Sequence, residues 1–315
     1  MDKETKKALA RDVNTSAEML SALAKDDFYS VRLEVAKNAN TPAEILHRLS
    51  KEEDSTYHIQ WTIARNQNTS AETLAELAKN QNAQIDLWIA ENRNTSAETL
   101  AELAKEEDAY IRCAVARNLN TSAETLASLA KDEDDQIRWW VALNKYTPVE
   151  VLKFLASRET SPSTLTELSK HSFDSVRMDV ASNPHTPVSV LCDLAKDESH
   201  AVRFVVAQNT NTSAETLAEL AKVDSLRDIV AQNLNTPAET LSLLAKDDSY
   251  LVRMGVAKNP HTPVNIIKQL EKDIVHVVRK AAAATKSKMD LLSPKMSIET
   301  VSRKIKRKSS VKMKI

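Results

Sequence analysis

The stretch VARNLNTSAETLASLAKD, Val115–Asp132, decides the reading, because the chain rewrites it about every 26 residues. Aligned on its Thr121, the copies fall at Thr15, Thr41, Thr69, Thr95, Thr121, Thr147, Thr160, Thr186, Thr212, Thr236 and Thr262. Most intervals are 26 residues; the exceptions are 28 after Thr41, 13 after Thr147 and 24 after Thr212. A fixed period of this length marks a solenoid, in which each unit can hide its apolar flank only against the next unit.

Each Thr is followed by Ser or Pro and, in most copies, by Glu three positions on, as at Glu18, Glu72, Glu98 and Glu124. The pattern predicts a capping box. The Thr hydroxyl would accept from a free N–H of the first turn, and the Glu would return to the Thr N–H. Pro42, Pro148, Pro187, Pro237 and Pro263 would occupy the first helical position, where a missing N–H costs nothing. Leu or Ile stands five residues after every Thr and Leu eight after, a spacing that puts both on one face of a helix of about ten residues, helix A. After an acidic or polar loop comes helix B, written Val-Arg-x-x-Val-Ala-x-Asn, as in Val202–Asn209. Its Val, Val and Ala share a face and should meet helix A. The closing Asn recurs at positions 38, 66, 92, 118, 144, 183, 209, 233 and 259. It is expected to end the helix in the left-handed conformation, where Asn is tolerated, and to bond the adjoining turn or repeat with its amide.

The pattern Val-Arg-x-x-Val-Ala-x-Asn-x-x-Thr-Pro-x-x-x-Leu-x-x-Leu-Ala resembles the leucine-rich repeat variant family, within the wider HEAT-like group of helical solenoids. The resemblance covers roughly residues 5–285. It implies an all-α, right-handed superhelix of two-helix repeats of about 26 residues, the second helix short and partly 3-10. The family's founding type carries a cysteine-rich iron–sulfur segment at its N-terminus; nothing here matches it, and no cluster is carried over.

Irregularities in the repeat predict the domain plan. TKKALARD, with Lys6 in the Arg position, reads as a degenerate helix B forming an N-terminal cap over residues 1–14. A first array follows over 15–159 and a second over 160–285. Between Thr147 and Thr160 two A-type helices follow one another with no helix B between them. A joint is therefore expected near residues 157–161. VRKAAAATKSK reads as a last helix B turned polar. Residues 286–315 are expected to form a basic, disordered tail.

Composition argues against an ordinary enzyme. The chain has 315 residues, one Gly, and 4% aromatic residues, and no GxGxxG, GxxxxGK[ST] or GxSxG. Loops that cradle phosphate or turn sharply at a nucleophile use several glycines. Two distant cysteines indicate neither a disulfide framework nor a metal cluster. The seven histidines show no HExxH and no paired ligand spacing, so no metal or other cofactor is expected. The N-terminus lacks the apolar core of a signal peptide, and no apolar run approaches membrane-spanning length. A cytoplasmic protein is expected, or a nuclear one if the source is eukaryotic. The formal net charge of −1 hides an asymmetry: from Lys286 on, ten Lys/Arg stand against two acids, a net of +8, which leaves the body at −9.

With the Arg of helix B as zero, position +1 lies opposite the core stripe. It holds Leu33, Trp61, Leu87, Cys113, Trp139, Met178, Phe204 and Met254, with Trp88 and Trp140 one position further round; Asp228 and Lys280 interrupt it. One reading is an apolar groove that holds an extended peptide or a partner helix. The other is sideways packing between neighbouring B helices. The recurring Arg is expected to pair with loop carboxylates such as Asp26, Asp132, Asp197 and Asp247 rather than with phosphate, and Gln60 and Asp86 break the row. In the tail, Arg303, Lys304, Lys306, Arg307 and Lys308 form a basic run suited to nucleic acid, an anionic membrane or the acidic array. The leading expectation is a non-enzymatic scaffold that binds a protein or peptide along the B face. The alternative is a nucleic-acid-binding HEAT-like protein.

Overall fold

The computed structural model describes residues 1–51, 57–158 and 161–292. Among them all regular structure is helical: twenty-two α-helices and one 3-10 turn, with no strand. The chain divides into two compact units, Met1–Leu155 and Ala156–Ile315. In each, A and B helices alternate in the manner of an α-solenoid, and successive B helices within the unit pack against one another. One A helix, Val149–Arg158, is followed directly by another, Pro162–Leu168.

The core lies between the two rows. Leu20, Leu46, Leu74, Leu100 and Leu126 of the A helices are fully buried, as are Val31, Val35 and Ala36 and most of their counterparts in the B helices. Full burial of such a side chain stabilises by about 1.5–3 kcal/mol, and each repeat presents several only to its neighbours.

Five local expectations are corrected. The N-cap is the Ser after the Thr: Ser122 Oγ accepts from the Thr125 N–H at 3.1 Å, and Ser16, Ser70, Ser96 and Ser213 do the same in their copies. The Thr instead closes the preceding helix. Thr121 is buried, its Oγ1 donates to the Val115 carbonyl at 2.6 Å, and its N–H bonds the Asn118 carbonyl, so Glu124 has no Thr N–H to take. Glu18, Glu98 and Glu215 bond their own N–H and the capping Ser, which holds each below the usual carboxylate range. Pro42, Pro187, Pro237 and Pro263 stand at the N-cap itself, one residue earlier than expected.

The closing Asn is not left-handed. Asn118 has φ −70° and ψ 132°, and the other closing Asn residues are extended in the same way. Helix B is also not the short helix: it runs nine residues as regular α-helix in most copies, against seven or eight for most A helices. Only in the copy two residues shorter does it begin as a 3-10 turn, Asp224–Leu226, before Arg227–Gln232. There the lost residues come out of the loop, and the tighter helix absorbs the difference. Finally, the last helix extends to Leu292, into the stretch expected as tail, with Lys286 Nζ 2.8 Å from Glu271.

What replaces the left-handed turn is a ladder of buried amides. Asn118 Nδ2 donates to the Ala90 carbonyl at 2.8 Å and the Asn92 carbonyl at 2.9 Å, both in the preceding repeat. Its Oδ1 accepts from the Asn120 N–H at 2.9 Å. Asn38, Asn66, Asn92 and Asn144 repeat this in the first unit, and Asn209, Asn233 and Asn259 in the second. Thr285 ends the second ladder with a 2.7 Å bond to the Ala257 carbonyl. Glycine could close a helix, but it has no amide to satisfy the last carbonyl of the helix before. A second, outer row runs through Asn68, Asn94 and Asn120, whose amides bond carbonyls one repeat back.

Candidate functional site

The +1 residues stand where the B helices lie side by side. Leu33, Trp61, Leu87, Trp88, Trp139 and Trp140 in the first unit are all half-buried, as are Met178, Phe204 and Met254 in the second. They differ from the core stripe, where exposure is zero or nearly so. Each keeps part of its surface in solvent.

The tryptophans show how this comes about. Trp61 and Trp88, on consecutive B helices, meet edge to face with centroids 5.7 Å apart and an interplanar angle of 84°. Arg65, one turn beyond Trp61, places its guanidinium 4.4 Å from one ring and 4.3 Å from the other. Positions +1 and +5 of one helix therefore reach position +2 of the next. Arg117 and Trp140 repeat the contact at 4.7 Å, and Trp139 lies edge-on to Trp140 at 4.7 Å. Such cation–π and aromatic pairs are worth about 0.5–1.5 kcal/mol each. Arg117 also lines an open cleft of about 580 Å³ with Glu91, Arg93, Leu119 and Tyr146, so the aromatic row and the cleft share a side chain. Spacing alone did not reveal the cleft, because its walls come from the ends of successive helices.

The recurring arginines are turned inward. Nη1 of Arg112, Arg177 and Arg253 donates to two carbonyls of its own loop, six and five residues back. The rest of each fork grips the Asp twenty residues on: Arg112–Asp132 at 2.7 Å, Arg177–Asp197 at 2.6 Å and Arg253–Asp273 at 2.7 Å. Arg227–Asp247 follows at 3.2 Å, and Lys6, in the Arg position of the cap, holds Asp26 at 2.5 Å. Arg253 keeps Asp273 below the ordinary carboxylate range against its partial burial. Guanidinium groups committed to loop and carboxylate in this way are not a phosphate track.

Asp86 stands in the Arg register and is 2% exposed, with a buried Oδ1 that has no partner. Burial, and then the negative charge of Glu106, push it up to about 6. The preceding loop holds Gln81 at φ 49°, the one non-glycine residue with positive φ among the described residues.

The fold brings together one set of potential ligands that sequence spacing did not. His47, Glu72 and Glu76 lie on consecutive A helices with their ligand atoms within 4.8 Å of one another. The basic run Arg303, Lys304, Lys306, Arg307 and Lys308 lies outside the described residues.

No protein-family model matches the chain, and no curated protein does. Solved structures similar to it include repeat proteins. A leucine-rich repeat variant with a novel repetitive structural motif is 21% identical, covering 75% of this chain and 88% of its own, with a TM-score of 0.34. The archaeal HEAT-like repeats protein from Thermococcus onnurineus NA1 is 13% identical, covering 92% and 97%, with a TM-score of 0.18. An engineered protein is 16% identical, covering 90% and 94%, with a TM-score of 0.31. No helix among the described residues is long and apolar enough to cross a membrane.

Proposed function

We propose that this chain is a scaffold, not an enzyme, and that it binds a protein or peptide partner along the B-helix face. The observation that carries the reading is the half-exposed apolar row. The core stripe is buried, the helix ends are closed by Ser, Thr and Asn, and the arginines are paired within the loops. The +1 and +2 residues are large and apolar, and they retain surface that nothing in their unit covers. Trp, Phe and Met supply the contact area on which binding energy concentrates. An extended peptide or an amphipathic helix lying across successive B helices would meet one such side chain per repeat. The basic run at residues 303–308 would modulate that binding or carry a contact with an anionic surface, in a cytoplasmic or nuclear setting.

The test is selection of displayed peptides on the full-length protein, repeated on a Trp61→Ala, Trp139→Ala double variant. Peptides retained by the wild type and lost by the variant, with unchanged helicity and melting, support the reading. Equal binding by the variant, or a variant that unfolds, sinks it in favour of a packing role for the row.

A further inference from the structure

We propose that His47, Glu72 and Glu76 form a binding site for a divalent transition-metal ion of the Zn²⁺ and Co²⁺ class, at the seam between the A helices Ala43–Ser50 and Ala71–Ala78. The two helices pack against each other within the first unit. Glu72 and Glu76 are four apart and so share one face of their helix. His47, on the helix before, brings its ring to that face, and all three ligand atoms fall within 4.8 Å of one another, the only such triple among the described residues. One imidazole and two carboxylates suit first-row divalent ions, which take N and O ligands at about 2.0–2.2 Å and can leave a fourth position to water.

Comparison between repeats shows that the arrangement is particular to this place. The same Glu pair recurs as Glu98/Glu102 and Glu215/Glu219. There the second Glu pairs with the Lys three residues on, just past the end of its own helix, Lys105 at 3.0 Å and Lys222 at 2.7 Å. Glu76 has Lys79 at the same spacing but turns across the seam, to 3.8 Å from His47 Nδ1 and 3.4 Å from Lys51 Nζ. In the register of His47 the other two seams carry Ala75 and Cys192, and neither completes a triple. Thr73 Oγ1, itself buried, sits 2.9 Å from His47 Nδ1 and orients the ring. Without an ion, the Lys51 ammonium holds the position facing Glu76. An arriving cation displaces it and requires the imidazole in its neutral form.

The test is titration of the full-length protein with Co²⁺, read by its visible d–d absorption, with Zn²⁺ as competitor. The expected result is one equivalent bound at micromolar affinity. His47→Ala and the exposed Glu72→Gln should each weaken binding roughly tenfold or more. Lys51→Ala should tighten it, since it removes the internal competitor; that gain of affinity cannot arise from unfolding. No saturable band, one that saturates only at millimolar Co²⁺, or equal affinity in wild type and His47→Ala overturns the assignment.

Discussion

Replacing Asn118 by Ala tests whether the amide ladder holds the repeats together. The change strips two backbone groups of their only partners: the Ala90 carbonyl, bonded by Nδ2 at 2.8 Å, and the Asn120 N–H, bonded to Oδ1 at 2.9 Å. The Asn92 carbonyl loses one bond of 2.9 Å but keeps the Thr95 N–H. A buried polar group left unpaired costs about 1–3 kcal/mol. One stripped group is buried and the other part-buried, which predicts a loss of about 2–4 kcal/mol. Asn120→Ala is the internal control. Its amide bonds the Arg93 and Thr95 carbonyls at 2.6 and 3.1 Å, but it is exposed, water can replace it, and the expected loss is about 1 kcal/mol or less. Asn118→Asp separates donor from acceptor. It keeps an oxygen for the Asn120 N–H but offers no N–H to the two carbonyls, so it should be worse than Asn120→Ala at neutral pH and partly restored when acid protonates it. Urea denaturation followed by helical circular dichroism gives the magnitudes. Amide exchange should show the loss of protection in the repeats either side of the substitution, since repeat stability is a nearest-neighbour property. An Asn118→Ala loss within about 0.5 kcal/mol of the Asn120→Ala loss would refute the reasoning.

Three further perturbations follow. Thr121→Ala should destabilise by about 2 kcal/mol and Ser122→Ala by about 1 kcal/mol; a Ser122→Ala variant that melts as the wild type does would remove Ser122 from the cap. Asp86 is raised in the folded chain from 3.8 to about 6, so the folded state holds the extra proton between those values. The Asp86 contribution to stability is then full below about pH 4 and falls by about 3 kcal/mol as pH rises to 6, and urea midpoints of Asp86→Asn should lack that component of the pH dependence. Gly255→Ala would set a Cβ 2.9 Å from the Ala231 Cβ. The clash, at about 1–3 kcal/mol, should outweigh a helix-propensity gain of about 1 kcal/mol and lower the melting temperature.

The fold was legible because its determinants are local and repeated. Leu five and eight residues after each Thr, and Val, Val, Ala in helix B, mark buried stripes directly; the leucines are all buried, and of the B-helix stripe only Ala142 and the terminal Ala283 are not. The caps were displaced by one residue because Thr and Ser are both good caps, and only tertiary structure shows that the Thr hydroxyl is already spent on a carbonyl six residues back. The Asn was assigned the wrong backbone conformation for a similar reason. Propensity favours the left-handed turn, whereas the unpaired carbonyl of the preceding helix favours an extended Asn that can reach it. The expected bond to the adjoining repeat is present all the same.

The site was legible only where it repeats. Position +1 announces itself as a row, yet its half-burial follows from the reach of +1 and +5 onto +2 of the next helix, a relation between repeats that no single copy contains. His47, Glu72 and Glu76 lie 25 and 29 residues apart in sequence, close to one period. That separation is the general rule for this architecture. A stack of 26-residue units makes neighbours of residues one period apart, so ligand spacings drawn from a single helix or hairpin will overlook sites on such a stack. The same rule explains how function can vary on a fixed frame. Amide, hydroxyl and guanidinium bonds from each repeat to the last hold the spacing constant, and the half-exposed positions are then free to differ from copy to copy without disturbing it.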